Sequence, residues 1–263
     1  MGELMETPTA AETEKCKGCG DDLVVNHTYS VVHGRSFRFV SPCGRCEAAQ
    51  TAAAEVFRLA MLVPKLIRKA EVPERWQAAS LDPNIWPALV IDAGNLAAIE
   101  TLRAWVTGDE SLYVYGSTGG GKTTLAIAAL MDTCRQGVEG LFISEMDLEA
   151  DLHRGWQRDL IYRSWEVPVL VLDDIGSREM EPRLLTVYRD IFDRRSMYGL
   201  KTLVTGQLVP KASKGEERSL MNLWKSEAKG GKVREDIASR LRQILDGHSV
   251  ELTGINRRLG VRK

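Results

Sequence analysis

Gly116-Ser117-Thr118-Gly119-Gly120-Gly121-Lys122-Thr123 is the stretch of this chain whose residue types and spacing carry the most chemistry. It fits G-x-x-x-x-G-K-[ST], a turn that holds a nucleoside triphosphate such as ATP by its phosphates. Glycines let successive backbone N–H groups point inward at phosphate oxygens. Lys122 would set a point charge on the β and γ phosphates, and the Thr123 hydroxyl would ligate Mg²⁺. Thr124 leads into Leu125 to Met131, which reads as a helix whose N-terminal dipole favours an anion. Leu112-Tyr113-Val114-Tyr115, ahead of the turn, reads as a buried strand. A merely flexible glycine turn is the plain alternative, and the Lys-Thr pair with both flanks argues against it.

A second half of such a site is also written in the chain. Asp173 and Asp174 directly follow Val169-Leu170-Val171-Leu172, an apolar run expected of a strand buried on both faces. A carboxylate at the carboxyl end of a central strand lies beside the phosphate turn in doubly wound folds. Asp173 is expected to hold Mg²⁺, and Asp174 to polarise an attacking water. Solvated acids in an ordinary turn would look the same in isolation. Gln207 follows the strand Thr202-Leu203-Val204-Thr205 and is either a contact to the γ-phosphate or water, or an exposed loop amide. Arg240 lies on an expected helix from Val233 to Leu245. An arginine fork can meet charge developing on a γ-phosphate, but by pattern alone a surface arginine is the simpler reading.

Cys16-x-x-Cys19 and Cys43-x-x-Cys46 are two knuckles of the kind that complete a tetrahedral four-thiolate zinc site. Zinc would contribute an apparent binding free energy of about 10–16 kcal/mol, which a module with so few core residues needs. Gly18, Gly20 and Gly44 relieve the tight turns. A redox pair or four free thiols are the alternatives, and Cys134 reads as a small buried hydrophobe.

His153, Arg154, Trp156, Arg158, Tyr162, Arg163 and Trp165 interleave bases and aromatics before the Asp173 strand. Cations neutralise phosphates and aromatic faces stack on unpaired bases, so Arg154, Trp156, Arg158 and Arg163 are candidate contacts to single-stranded DNA. An amphipathic helix packing Trp156 and Leu160 inward would give the same pattern. Lys211, Lys214, Lys225, Lys229 and Lys232 form a second basic element, more simply a solvated insertion.

These groups need a scaffold. Strands at 112–115, 141–144, 169–172 and 202–205 alternate with helices at 96–106, 124–131 and 182–198. That order predicts an α/β fold with a parallel sheet flanked by helices. Residues 1–15 are polar and expected to be a disordered tail. A module from 16 to 70 comprises the cysteines, short strands at 23–25, 29–32 and 37–40, and a helix or helix pair interrupted at Pro64; the main domain covers 71–263. With 44% hydrophobic and 27% charged residues and a net charge of −1, any nucleic-acid surface must be a local patch. No apolar run reaches the length of a membrane span. The acidic start, Met1-Gly2-Glu3, lacks a signal core, so a cytoplasmic setting is expected, with the five cysteines reduced or metal-bound.

Together these residues resemble the AAA+ helicase loaders of the DnaC/DnaI type, over nearly the whole chain after Val72. Val72-Pro73-Glu74-Arg75-Trp76 is similar to that family's entry segment and Asp173-Asp174-Ile175-Gly176 to its magnesium and acid motif. Asp193-Arg194-Arg195-Ser196 with Lys201 to Thr205 is similar to its helix and sensor strand, and Ser239-Arg240-Leu241 to its arginine-finger helix. The resemblance implies an AAA+ P-loop ATPase with an N-terminal zinc-binding domain, which delivers a hexameric DnaB-type replicative helicase onto single-stranded DNA. It implies a ring or spiral assembled on that helicase, in which Arg240 reaches a neighbour's ATP. The setting would be a bacterial or phage-infected cell. Gln207 departs from the family's usual Asn, and the 208–233 loop is longer than expected. An IstB-type ATPase assisting a transposase shares almost all of these features. A DNA-binding adaptor with a vestigial ATP site and a small-molecule kinase are more distant alternatives.

Overall fold

The structure is a computed structural model, and it describes residues 13–30, 35–154, 159–176, 182–210, 239–241, 243, 245 and 248–253. Contacts divide the chain into two units, Met1–Ala60 and Met61–Lys263.

In the first unit, β1 (Thr13–Lys15), β2 (Asp22–Ser30) and β3 (Arg35–Val40) form an antiparallel sheet in the order β1-β2-β3. The last residues of the expected tail are therefore a strand. Lys15–Asp22 at 2.6 Å joins opposed residues of β1 and β2, and Arg38–Glu14 at 2.8 Å links β3 to β1 over the middle strand. The register Lys15↔Asp22 closes a short loop that carries Cys16 and Cys19.

Helix α1 runs from Gly44 to Lys69, and the boundary between the units falls within it. Pro64 sits inside the helix rather than dividing it into a pair. Proline removes one i→i−4 bond but keeps a helical φ. Leu62, Leu66 and Ile67 anchor the last turns against the core of the second unit.

The second unit is built on β4 (Leu112–Gly116), β5 (Gly140–Ser144), β6 (Val169–Ile175), β7 (Lys201–Gly206) and β8 (Ser249–Leu252), joined in the order β5-β6-β7-β4-β8. Every pairing is parallel. Helices α2 (Leu96–Thr107), α3 (Lys122–Arg135), α4 (Glu145–His153), α5 (Asp159–Glu166) and α6 (Pro182–Met197) supply the cover. Side chains alternate along each strand, and the two faces bury separate cores. Val114, Val171 and Leu203 pack with Leu102, Ile127 and Leu130 on one face. Tyr113, Leu172 and Val204 pack with Ile161, Tyr188 and Phe192 on the other.

Two features of this sheet position the site. β7 lies between β4 and β6, so the carboxyl end of β7 is flanked by the phosphate turn and the acidic pair. The β6–β7 ladder also shifts register between Leu172 and Ile175. A bulge re-aims side chains that strict alternation would send to opposite faces. Among the described residues, no helix is long and apolar enough to cross a membrane.

Candidate ATP site and cysteine cluster

The turn after β4 takes the conformation its glycines allow. Gly116, Gly119 and Gly121 have φ of 141°, 82° and 97°, values L side chains rarely adopt. Gly116 is also sterically required: a Cβ there would lie 2.3 Å from the Leu252 carbonyl oxygen on β8. The loop is closed by Gly120 N–H donating to the Ser117 carbonyl at 3.3 Å. Lys122, the first residue of α3, is buried and lies across the turn, its Nζ donating to the carbonyls of Gly116 (3.0 Å) and Ser117 (2.9 Å).

Asp173 and Asp174 both line the cavity beside this turn, where an unbroken strand would present only one of them. The register shift and a left-handed Asp174 (φ 60°) achieve it, with the Asp174 N–H held by Thr205 Oγ1 at 2.9 Å. Asp173 accepts hydrogen bonds from Thr123 Oγ1 at 2.9 Å and Thr205 Oγ1 at 2.6 Å. Burial raises its carboxyl above the ordinary range, opposed by those two hydroxyls. Thr123 and Asp173 thus present hard oxygens at one point beside the turn, a donor set that fits Mg²⁺.

Gln207 is not an isolated loop amide. Its Oε1 accepts from Thr118 Oγ1 at 3.0 Å, and its Nε2 lies 3.5 Å from Asp174 Oδ1.

The cavity has a volume of about 700 Å³ and extends from Gly119, Gly121, Lys122, Thr123 and Thr124 to Trp76, Trp86, Leu89 and Val90. Trp76 and Trp86 meet edge to face at 5.9 Å, and the Arg75 guanidinium stands 5.5 Å from the centre of the Trp76 ring. A polar end that takes phosphates and an aromatic, apolar end that takes a base are what a purine nucleotide requires. The aromatic end is not legible in the sequence. The signal was present, because Trp76 and Trp86 are large apolar residues in a segment with little periodicity, but only tertiary packing brings them to the turn.

The four paired cysteines converge: the Sγ atoms of Cys16, Cys19, Cys43 and Cys46 all lie within 4.8 Å of one another. Cys16–Cys46 and Cys19–Cys43 are 3.6 and 3.3 Å apart. Four thiolates about 2.3 Å from one ion have similar separations, so the cluster is compatible with zinc. The N–H groups of Gly18 and Cys19 pull the Cys16 thiol down to about 6, whereas the neighbouring sulfurs push Cys19 and Cys46 up, as expected of four thiols crowded together. Cys134 is buried in α3, and burial pushes its thiol up to about 11.

The basic-aromatic segment divides. Arg154 is exposed at the end of α4, 3.9 Å from Asp151. Arg163 is instead tied down, donating to Glu71 Oε1 at 2.6 Å and to the Lys69 carbonyl. A cation there satisfies the C-terminus of α1. Trp165 carries the Arg194 guanidinium 4.1 Å from its ring centre and meets Tyr162 edge to face. Trp156 and Arg158 lie outside the described residues, as do the lysines from 211 to 232 and the His33-Gly34 turn. Arg240 is helical and half-exposed, is not among the residues lining the ATP cavity, and has its Nε 2.6 Å from Asp193 Oδ1.

The phosphate turn, the acid pair beyond it and the all-parallel strand order define an AAA+ P-loop nucleotide-binding fold. Residues 54–208 match the family described as IstB-like ATP binding protein, and the chain belongs to that family. Among solved structures, DnaI is similar at 25% identity with a TM-score of 0.56, covering 72% of this chain and 95% of that one. The DnaC helicase loader is similar at 22% identity and a TM-score of 0.53, covering 69% of this chain and 100% of that one. A putative primosome component from Streptococcus pyogenes serotype M3 gives 22% and 0.54 over 73% and 97%. The last two likenesses concern the fold. No curated protein matches the chain.

Proposed function

We propose that this protein is an ATPase that loads a hexameric replicative helicase of the DnaB type onto single-stranded DNA. The likeness to DnaI, which spans 95% of that chain at 25% identity, carries the reading. The ATP site supports turnover rather than a vestigial fold, because Lys122, Thr123, Asp173, Asp174 and Gln207 converge on one cavity.

The residues divide the work as their positions dictate. Gly116 to Thr124 wrap the phosphates, and Lys122 leaves the loop carbonyls for the β and γ oxygens. Thr123 and Asp173 would hold Mg²⁺, which neutralises phosphate charge when bound. Asp174 accepts a proton from the water that attacks the γ-phosphorus, as the bond to the β-bridging oxygen breaks and ADP leaves. Arg240 of a neighbouring copy, in a ring or spiral formed on the helicase, stabilises the charge on the transferring group. Arg154, with Trp156 and Arg158, takes DNA, and Arg163 holds the segment in place. The cysteine unit, with zinc bound, grips the helicase. A cytoplasmic setting follows from such partners.

The family match favours a second reading, an IstB-type ATPase that assists a DNA transposase. Purified protein, ATP and zinc should be offered each candidate partner in a pull-down, with DNA-stimulated phosphate release as the second readout. Capture of the replicative helicase, with turnover lost in Lys122→Ala, supports loading. Capture of a transposase alone selects the second reading, and turnover indifferent to Lys122→Ala removes both.

A further inference from the structure

Glu145 is a buried carboxylate, 5% exposed, with no part in the nucleotide contacts described above. It is the first residue of α4, directly after Ser144, which pairs with Asp173 across the β5–β6 ladder. Its Oε2 accepts from the Gly176 N–H at 2.8 Å and from the Tyr188 hydroxyl at 3.1 Å. Burying a carboxylate is costly unless donors meet it, so these contacts hold the side chain in one place.

The location of that clamp matters more than its strength. Gly176 lies two residues after Asp174, beyond the register shift that turns both acids to the cavity. Asp174 and Gly176 are both left-handed, with φ of 60° and 75°. A non-glycine residue persists in that region only where its surroundings over-determine it. Thr205 fixes the peptide entering Asp174 from the β7 side, and Glu145 fixes the Ile175–Gly176 peptide, one further along, from the β5 side. Tyr188, fully buried on α6, braces Glu145 from behind.

We infer that Glu145 is a positioning residue that couples the start of α4 to the aim of Asp174. α4 leads into the segment with Arg154, so a partner or DNA strand that moves α4 moves the clamp and thereby the acid. This inference rests on the ATPase reading for its consequence in turnover, but not for the clamp itself.

Two variants and two readouts test it. Glu145→Ala should lower kcat about tenfold and abolish stimulation by a mixed-sequence single-stranded oligonucleotide, with KM for ATP within about twofold. Glu145→Gln keeps an acceptor oxygen and should restore most of kcat. Hydrogen exchange read at the Gly176 amide should accelerate in Glu145→Ala and stay slow in Glu145→Gln. Should Glu145→Ala fail to fold, Tyr188→Phe removes one donor and should give a smaller change in the same direction on both readouts. Wild-type kcat and stimulation in Glu145→Ala, or in Tyr188→Phe where that variant replaces it, would overturn the proposal; so would a KM that rises as much as kcat falls. If the wild-type protein hydrolyses no ATP, the ATPase reading fails separately. Gly176 exchange then decides the clamp: unaltered protection in the variant overturns it, and accelerated exchange upholds it.

Discussion

Gln207 and Thr118 are joined side chain to side chain, Thr118 Oγ1 donating to Gln207 Oε1 at 3.0 Å. One amide thereby spans from the phosphate turn after β4 to the neighbourhood of Asp174, whose Oδ1 is 3.5 Å from Nε2. A group held there acts on charge that develops during transfer more than on nucleotide already bound. Gln207→Ala should therefore cut kcat by about 10²-fold while leaving nucleotide affinity within a few-fold. Phosphate release and titration with a fluorescent ATP analogue separate the two. Equal losses in both would make Gln207 a ground-state contact.

Asp173 gives a pH and magnesium prediction. Burial raises its carboxyl in the folded protein, against the two threonine hydroxyls. On acidification the folded state takes up a proton here before the unfolded state does. That contribution to stability is complete below the unfolded carboxyl range and is lost as pH rises through the elevated folded value. Asp173→Asn should raise the Tm of the nucleotide-free protein at neutral pH and flatten its pH dependence above the ordinary carboxylate range. The same variant should lose the added stabilisation from Mg²⁺ with ATP. Calorimetry across a pH series, with and without both ligands, provides the check; a lower Tm at neutral pH would show that the hydroxyl contacts outweigh burial.

Local chemistry made the phosphate turn, the acid pair and the cysteine knuckles legible in the sequence, because each needs particular residue types at short spacing. The parallel sheet was legible too, since strands such as Val169 to Leu172 are apolar on both faces. Other features depend on contacts distant in sequence. The aromatic end of the cavity needs Trp76 and Trp86 brought to Thr123 through tertiary packing. Arg163 reads from the sequence as a candidate DNA contact, and its partners in the fold, Glu71 and the Lys69 carbonyl, are not legible there because they lie far back along the chain. Pro64 looked like a break because propensity is local, whereas Leu62, Leu66 and Ile67 anchor the helix through packing.

Arg195 shows what the Asp-Arg-Arg-Ser stretch does for the fold. It is fully buried and donates to the carbonyls of Ser164 (2.8 Å), Val167 (2.9 Å) and Lys201 (2.6 Å) and to Thr202 Oγ1 (2.8 Å). α6 is thereby locked to the end of α5 and the start of β7. Burial lowers the guanidinium to about 9. A lysine cannot reproduce the fork, so Arg195→Lys should destabilise the second unit by about 3 kcal/mol or more. Urea denaturation measures it, and a loss below about 1 kcal/mol would contradict the assignment.

The cysteine cluster predicts a division of labour between the units. With four sulfurs within 4.8 Å, the protein should purify with a single zinc ion per chain. Chelation or Cys43→Ser should unfold β1 to β3, because the metal supplies folding energy that this small sheet lacks. ATP affinity, which resides in the second unit, should stay within a few-fold. Elemental analysis and limited proteolysis test the pair of claims; a sheet that resists protease without metal would refute the structural role of zinc.

Arg240 is held at 2.6 Å by Asp193 of its own chain, yet the proposed function sends it to a neighbour's γ-phosphate. The two positions are compatible on energetic grounds. Arg240 and Asp193 are 48% and 35% exposed, and a pair of that kind is worth about 0–1 kcal/mol. An arginine acting on transferring phosphate is worth about 10³–10⁵ in rate, so under the proposed function the weak pair with Asp193 would offer little resistance to that contact in the transition state. Arg240→Ala should accordingly keep nucleotide binding and lose partner- and DNA-stimulated hydrolysis. Asp193→Asn should keep stimulated hydrolysis at or above the wild-type level and change stability by less than about 1 kcal/mol. Mixing Arg240→Ala with Lys122→Ala chains then separates action on a neighbour from action on the same chain. The first retains an intact ATP turn and the second an intact arginine, so partial recovery of turnover in the mixture supports action between subunits, and its absence would confine Arg240 to its own chain.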